Sequence, residues 1–157
     1  MSRKQEPSRG LLKAVLVVLL LPLVLPLALL ALTLATLHRG TLWLLIRLLW
    51  LPRGKDVLLV YSDSPIWHDY MANEILPLVA ERAIVLNWSE RRKWRWLSLT
   101  AHAFRSYGGR RQYNPMVVLF RPMGPARVFR FWPAFQDHKH GHPEPLQRMR
   151  NELLLAL

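Results

Sequence analysis

The chain has 157 residues, a formal net charge of +12 at pH 7 and no cysteine. The absence of cysteine excludes disulfides, thiolate metal sites and thiol chemistry, because each of these requires a cysteine sulfur. If the first 52 residues are set aside, the remaining 105 suffice for one small domain with its own core.

An uncharged stretch at 14–37 is the strongest signal in the sequence. A helix of 24 residues reaches about 36 Å, which exceeds the ~30 Å hydrocarbon core of a bilayer. Pro22 and Pro26 lie inside it, and membrane helices tolerate such residues as kinks. We therefore predict a transmembrane helix at 14–37. A cleaved signal peptide is the alternative, although its apolar region usually has only about 7–15 residues.

Basic residues flank this stretch in equal number on both sides. They are Arg3, Lys4, Arg9 and Lys13 in the basic tail 1–13, and Arg39, Arg47, Arg53 and Lys55 after the span. Basic residues beside a first membrane helix favour the cytoplasmic side, and long domains cross largely regardless of charge. The sequence therefore favours a single-pass protein of the plasma (inner) membrane, with the tail inside and the domain outside or in the periplasm.

Residues 41–51 are apolar except for Arg47, and Trp43 and Trp50 are spaced to share one helical face. Eleven residues are too few to cross a bilayer again. Tryptophans with a snorkelling arginine are typical of an interfacial helix on the membrane surface. The alternative is that these residues continue the preceding helix and pack against the domain.

From residue 53 onward, apolar runs of strand length alternate with segments of helical periodicity, which predicts an α/β domain at 53–157. Ser64 and Pro65 suit the start of a helix that Pro77 should kink. The predicted elements are strand 57–61, the kinked helix after Ser64, strand 83–88, helix 96–107, strand 116–120, strand 126–132 and helix 145–157. The first two strands, joined through a helix, should be parallel.

This order of elements resembles the thioredoxin fold. One passage is similar to the part of that family's sequence that leads into the third strand. It consists of Tyr107-Gly108, followed by Asn114-Pro115 directly before the apolar run 116–120. Ser62-Asp63-Ser64 before the first helix is similar to the family's active-site turn. The resemblance implies a four-stranded mixed sheet flanked by helices, a cis peptide bond before Pro115 and a groove beside it that holds extended peptide.

The departure from the family concerns its paired cysteines, whose positions fall at Pro65 and His68 or, in a second alignment, at Asp69 and Ala72. Thiol–disulfide exchange needs one thiolate to attack and a second to resolve, so the domain is predicted to be redox-inactive. What the resemblance leaves is a peptide groove. Its candidate residues are Pro65, Trp67, His68, Asn114 and Pro115.

A strongly basic stretch occupies 91–136, which holds ten Lys and Arg and no acidic residue. Such a field attracts anionic partners, and beside a membrane anchor the head groups of anionic lipids are the favoured ones. Interleaved Trp and Arg also occur in single-strand nucleic-acid grooves, and a solvated face without a partner is a further alternative. The candidate residues for binding an anionic surface are Arg91, Arg92, Lys93, Arg95, Arg105, Arg110 and Arg111.

Two other patterns contain residue types used in metal binding, acid–base chemistry or anion binding. The His-rich loop 138–142 places histidines at alternate positions around Lys139, a spacing that seldom fixes metal geometry, so we predict no metal or other cofactor. His68 beside Asp69 is compatible with acid–base chemistry, and Ser62-Asp63-Ser64 with binding an anion at a helix start. The sequence contains no recognisable nucleophile motif to accompany them.

The sequence therefore predicts a membrane-anchored, cysteine-free thioredoxin-like domain that acts by binding. The predicted role is that of an accessory or assembly module that holds a protein or peptide partner near the bilayer. The first alternative is a small membrane-bound α/β enzyme that acts on a phosphorylated or lipid-linked substrate through His68, Asp69 or the turn at 62–64. The second, less favoured, is a membrane tether for nucleic acid.

Overall fold

A computed structural model describes residues 9–109 and 114–157. Arg110 and Arg111 of the candidate anionic-surface set, and most of the basic tail, lie outside the described residues. The chain divides into two compact units, residues 1–41 and 42–157.

The first unit is dominated by helix α1, which spans Arg9–Leu49 with Pro22 and Pro26 inside it. The apolar part of this helix is long and apolar enough to cross a membrane, and none of its most apolar window is buried. The hydroxyls of Thr33 and Thr36 each donate to the carbonyl four residues earlier, at 2.8 Å, so both polar groups are satisfied within the helix. The same length and composition also fit an N-terminal signal sequence.

The last turns of α1 belong to the second unit. Residues 41–49, which the sequence assigned to a separate interfacial helix, are continuous with α1, because one glycine at position 40 costs only about 1 kcal/mol within a helix. Leu42, Ile46 and Trp50 recur at four-residue spacing and are buried. The helix therefore continues into the domain and packs in its core, which is the second of the two arrangements compatible with the sequence. A 3-10 turn, Leu51–Arg53, follows and ends at Gly54.

The second unit is built on a four-stranded mixed sheet, so the predicted α/β class is confirmed. Its strands are β1 (Val57–Tyr61), β2 (Ala83–Asn87), β3 (Met116–Leu119) and β4 (Arg127–Arg130). The strand order is β2-β1-β3-β4, with β1 and β2 parallel and the other pairs antiparallel. Central β1 is buried from Val57 to Val60 and half-buried at Tyr61, as a continuous apolar run predicts for a strand covered on both faces.

Helices cover both faces of the sheet. They are α2 (residues 68–79), α3 (Leu99–Tyr107), α4 (Phe131–Lys139) and α5 (Glu144–Leu154). Val57 and Leu59 point into the core under α2, α4 and α5. Leu58 and Val60 point into the opposite core, under α3 and the end of α1.

Helix α2 is irregular in the way that a proline predicts. It begins as an α-helix at His68–Tyr70, widens to a π-helix at Met71–Ile75 and returns to an α-helix at Leu76–Val79. Pro77 has no N–H to donate to the carbonyl four residues earlier, and the π-helical turn accommodates this loss.

The segment after β3 differs from the prediction. Strand 126–132 was predicted too long: β4 ends at Arg130, and Phe131 begins α4, which the sequence analysis missed. Phe131, Ala134 and Phe135 are buried at the i, i+3, i+4 spacing of a helix, and Pro133 is tolerated because it lies in the first turn. His138 therefore belongs to a helix and not to a loop.

Candidate functional site

One edge of the sheet gathers the polar segments that the sequence singled out. The parallel strands β1 and β2 end at this edge, β3 begins there, and β1 continues into Ser62-Asp63-Ser64. Val60 is paired with Met116, so extending the register by one residue places Pro115 opposite Tyr61. Both halves of the predicted groove thus lie at the same edge. We call residues 62–68, 87–89 and 114–115 the polar edge.

Hydrogen bonds tie the ends of β1 and β2 together. Asp63 Oδ1 accepts from Asn87 Nδ2 at 2.9 Å, and the Asp63 backbone N–H donates to Ser89 Oγ at 3.0 Å. The Ser89 N–H donates in turn to Asn87 Oδ1 at 2.9 Å. Asp63 is therefore held in place by the loop after β2. The sequence analysis missed Asn87 and Ser89, although parallel pairing of the two strands brings their carboxyl ends together.

His68 faces Asp63 and not the adjacent Asp69. Its Nδ1 lies 3.8 Å from Asp63 Oδ1, outside hydrogen-bond distance, and this nitrogen is buried without a hydrogen-bond partner in residues 9–109 and 114–157. The imidazole also lies against the Tyr61 ring, with centroids 5.6 Å apart. The arrangement is a loose histidine–carboxylate pair, which a small movement would tighten into a hydrogen bond.

The serines of the turn have structural partners. Trp67 Nε1 donates to the buried Ser62 Oγ at 3.0 Å, and the indole packs on Phe135 with ring centroids 6.0 Å apart. The Ser64 carbonyl accepts from the N–H of His68 at 2.9 Å, and its hydroxyl lies 3.5 Å from the Ile66 N–H. Ser64 thus stabilises the turn before α2, and the helix begins three residues later than predicted.

Asn114 and Pro115 form the other side of the polar edge. The peptide bond between them is cis, as the family resemblance implied, and the Pro115 carbonyl accepts from the Phe131 N–H at 3.0 Å. Asn114 Oδ1 is buried without a hydrogen-bond partner, and no hydrogen bond in the described part of the chain uses the Asn114 backbone. Within the described residues, Asn114 is therefore a polar residue at the cis bond whose side-chain oxygen is left unsatisfied.

The basic residues of the second candidate site lie next to the polar edge in the chain. A 3-10 helix, Trp88–Lys93, carries Arg91, Arg92 and Lys93, and Arg95 follows it; all four are exposed, as is Arg105 on α3. Lys93 is paired with Glu90 at 2.8 Å, and this hydrogen bond raises the pKa of the Lys93 ammonium.

The tryptophans around these cations divide into two kinds. Trp88 and Trp94 pack edge-to-face on each other and on the buried Phe104, with ring centroids 5.1–5.9 Å apart. Trp96 and its neighbour Leu97 point the other way and are 75% and 70% exposed. Sequence spacing could not separate the two groups, because the turn between Trp94 and Trp96 has no regular period.

Two further features bear on metal binding and on small-molecule binding. The described residues contain no group of three or more His, Asp or Glu placed to hold a metal ion. Between α2 and α5 lies an open pocket of about 370 Å³, lined by Tyr70, Glu74, Gln147, Arg150 and Asn151. Arg150 Nη2 lies 3.6 Å from Glu74 Oε2, and burial raises the pKa of the Tyr70 hydroxyl.

Compared with known proteins, the chain matches no protein-family model, no curated protein and no solved structure.

Proposed function

We propose that this protein is a membrane-anchored, redox-inactive thioredoxin-like module that binds an extended protein segment near the bilayer and serves as an accessory or assembly factor. The observation that carries the proposal is the cis Asn114–Pro115 bond at the polar edge, where Asn114 Oδ1 has no hydrogen-bond partner among residues 9–109 and 114–157. Buried polar groups normally have partners, so an unpaired one at the rim of a sheet favours an external partner.

Topology supports the thioredoxin-like assignment. The chain runs strand, helix, strand, helix and then a β3–β4 hairpin, with Asn114-Pro115 directly before β3. Helix α4 is an addition to that order, because the resemblance implied a single closing helix. The absence of cysteine removes disulfide exchange and leaves the binding edge as the functional part of the scaffold.

The form of the edge favours an extended ligand. A strand-like peptide can pair its N–H and C=O groups with the backbone of Asn114, and such main-chain pairing tolerates many side chains. Pro65 is exposed in the polar edge, and Trp67 forms a wall there that Phe135 and Ser62 hold in place. Each new hydrogen bond adds only about 0.5–1.5 kcal/mol net, so affinity also requires side-chain contacts with this wall.

The anchor is part of the proposal. A helix with the length and apolarity of α1 retains the domain at the membrane, and the charges around it favour an inside tail and a domain outside or in the periplasm. The test is a carbonate wash of membranes that contain the full chain. The chain should remain in the pellet, whereas its release, or a mature N-terminus near residue 36, refutes the anchor.

Peptide binding is tested on the full chain in lipid nanodiscs. A library of synthetic 12-residue peptides without cysteine supplies the best binder, which is then N-methylated at alternate positions. N-methylation of one set of alternate residues should abolish binding, and N-methylation of the other set should be tolerated. The reason is that an extended peptide turns every second N–H towards the edge. Asn114→Ala should weaken binding, with Asn151→Ala on α5 as the matched control. Equal losses of binding for the two sets of N-methylated peptides would refute strand-like pairing.

The His68–Asp63 pair supports a second candidate function, that of a small hydrolase at the membrane. A carboxylate beside Nδ1 orients an imidazole for proton transfer, as in acid–base catalysis. The test is turnover of a chromogenic phosphate ester by the full chain and by His68→Gln. Turnover that survives this substitution would refute a catalytic role for the pair.

A further inference from the structure

A second surface stands out beside the polar edge, where the loop after β2 projects apolar and basic side chains together. Trp96 and Leu97 are among the most exposed large apolar side chains in the second unit. Arg91, Arg92, Lys93 and Arg95 precede them within six residues. We call residues 91–97 the basic tip.

The base of the tip is rigid. Trp94 is anchored against Trp88 and Phe104, and the Ser98 N–H donates to the Arg95 carbonyl at 2.9 Å to close the turn that carries Trp96 and Leu97. Ser98 then caps α3 by accepting from the Ala101 N–H at 3.4 Å. The exposure of Trp96 and Leu97 is therefore fixed by packing on both sides of them, and is not that of a loose loop.

The four cations of the tip are not equivalent. Lys93 is neutralised in part by Glu90, and the Arg91 guanidinium lies over the Trp88 ring at 5.3 Å. Arg92 and Arg95 are exposed and have no acidic partner in the described parts of the chain. These two are the charges that remain available to an external anion.

We infer that the basic tip docks on the anionic phospholipid bilayer that holds α1, with Trp96 and Leu97 in the head-group region and Arg92 and Arg95 on lipid phosphates. This inference rests on the proposed anchoring, because a tethered domain meets its own membrane at high effective concentration. An exposed indole beside an apolar side chain and cations is the combination that membrane interfaces favour.

Lipid fits this surface better than nucleic acid does. A single-strand groove stacks successive bases on several exposed aromatic rings. Here Trp88 and Trp94 are occupied with Phe104, which leaves Trp96 as the one exposed ring of the three tryptophans. Leu97 offers a base nothing to stack on, but it suits insertion among lipid chains.

The test uses the full chain in proteoliposomes of phosphatidylcholine, with or without about a third of phosphatidylglycerol, a charged lipid of the kind that basic surfaces bind. Brominated phosphatidylcholine quenches tryptophans that reach the bilayer. The contribution of Trp96 is the difference between the wild type and Trp96→Phe. The paired variants are Arg92→Ser/Arg95→Ser and, as a control that removes the same charge elsewhere, Lys139→Ser/Arg148→Ser.

Quenching of Trp96 should appear in the anionic vesicles and weaken when salt rises from ~50 to ~500 mM, as the Debye length contracts. Arg92→Ser/Arg95→Ser should shift the docking equilibrium about 25-fold towards the free tip, at roughly fivefold per arginine. The control pair should leave it unchanged. Three results would overturn the inference. They are quenching that does not depend on lipid charge, equal losses of quenching in the two double variants, and tighter binding of single-stranded oligonucleotide than of anionic vesicles.

Failure of the anchor is distinguishable from failure of the tip. If carbonate releases the chain, the anchor is refuted, and the same Trp96 comparison with added vesicles still decides whether the tip binds lipid. If the chain stays in the membrane and Trp96 is not quenched, the anchor stands and the docking inference is wrong.

Discussion

Replacing Ile46 by alanine tests whether the end of α1 is part of the domain core. Ile46 is 2% exposed and packs with Leu42 and Trp50 on the face of the sheet that carries Leu58 and Val60. Leu58 and Val60 are themselves fully buried, so the site is closely packed. The substitution therefore leaves a cavity that they cannot readily close.

The expected loss can be worked from that packing. Ile→Ala removes three buried carbons, which at ~0.8 kcal/mol each is about 2.4 kcal/mol of transfer free energy. The unfilled cavity adds to this, and such substitutions cost about 2–5 kcal/mol in total. We expect a decrease of about 3–4 kcal/mol in the free energy of unfolding, a large share of the ~5–15 kcal/mol typical of a domain.

The assay is urea unfolding of the full chain in detergent micelles, followed by tryptophan fluorescence. With a slope of ~1–3 kcal/mol per M, the midpoint should fall by about 1 M or more. Leu48→Ala is the matched control on the same helix, because Leu48 is 62% exposed and should shift the midpoint little. Equal midpoints for the two variants would show that residues 42–50 are not part of the core, contrary to the packing described above.

A fragment that begins at residue 53 should unfold at lower urea than one that begins at residue 41, because it lacks Leu42, Ile46 and Trp50; coincident curves would contradict this. Raising the pH above the ordinary Tyr70 value of 10.0 should lower the free energy of unfolding, because burial raises the pKa of Tyr70 in the folded state and the unfolded state loses its proton first. Tyr70→Phe should remove that dependence, as measured by urea midpoints across the alkaline range. Reporter fusions at the C-terminus should show a domain outside the cytoplasm, and a fluorescent cytoplasmic reporter would reverse the topology.

Much of the fold was predictable because its signals are local. The continuous apolar runs at 57–61 and 116–120 gave two strands, and Pro77 gave the irregular helix. Helix α4 was missed because Phe131 and Trp132 are good strand residues that extend the β4 pattern. The helical i, i+3, i+4 spacing that includes Phe135 was present in the sequence. Pro133 argued against a helix there, although proline is tolerated in the first turn.

The candidate site was less predictable than the fold. The resemblance to a known fold pointed to Asn114 and Pro115. The partners of Asp63 could not be predicted in this way, because they depend on the pairing of β1 with β2. His68 was paired in the sequence with its neighbour Asp69, but consecutive helical residues point in different directions. Burial of Trp94 beside exposed Trp96 is a tertiary property, set by the contact with Phe104.

One part of the polar edge, residues 87–89, lies on the same loop after β2 as the basic tip. Asn87 and Ser89 hold Asp63, and two residues later the same 3-10 helix carries the first cations of the tip. Trp88 links them, since its ring packs on Trp94 at the base of the tip. Docking of the tip on a bilayer would therefore also restrain residues 87–89 of the polar edge. If the proposed peptide binding and the proposed docking both hold, the domain would present an extended segment near the bilayer without any catalytic residue.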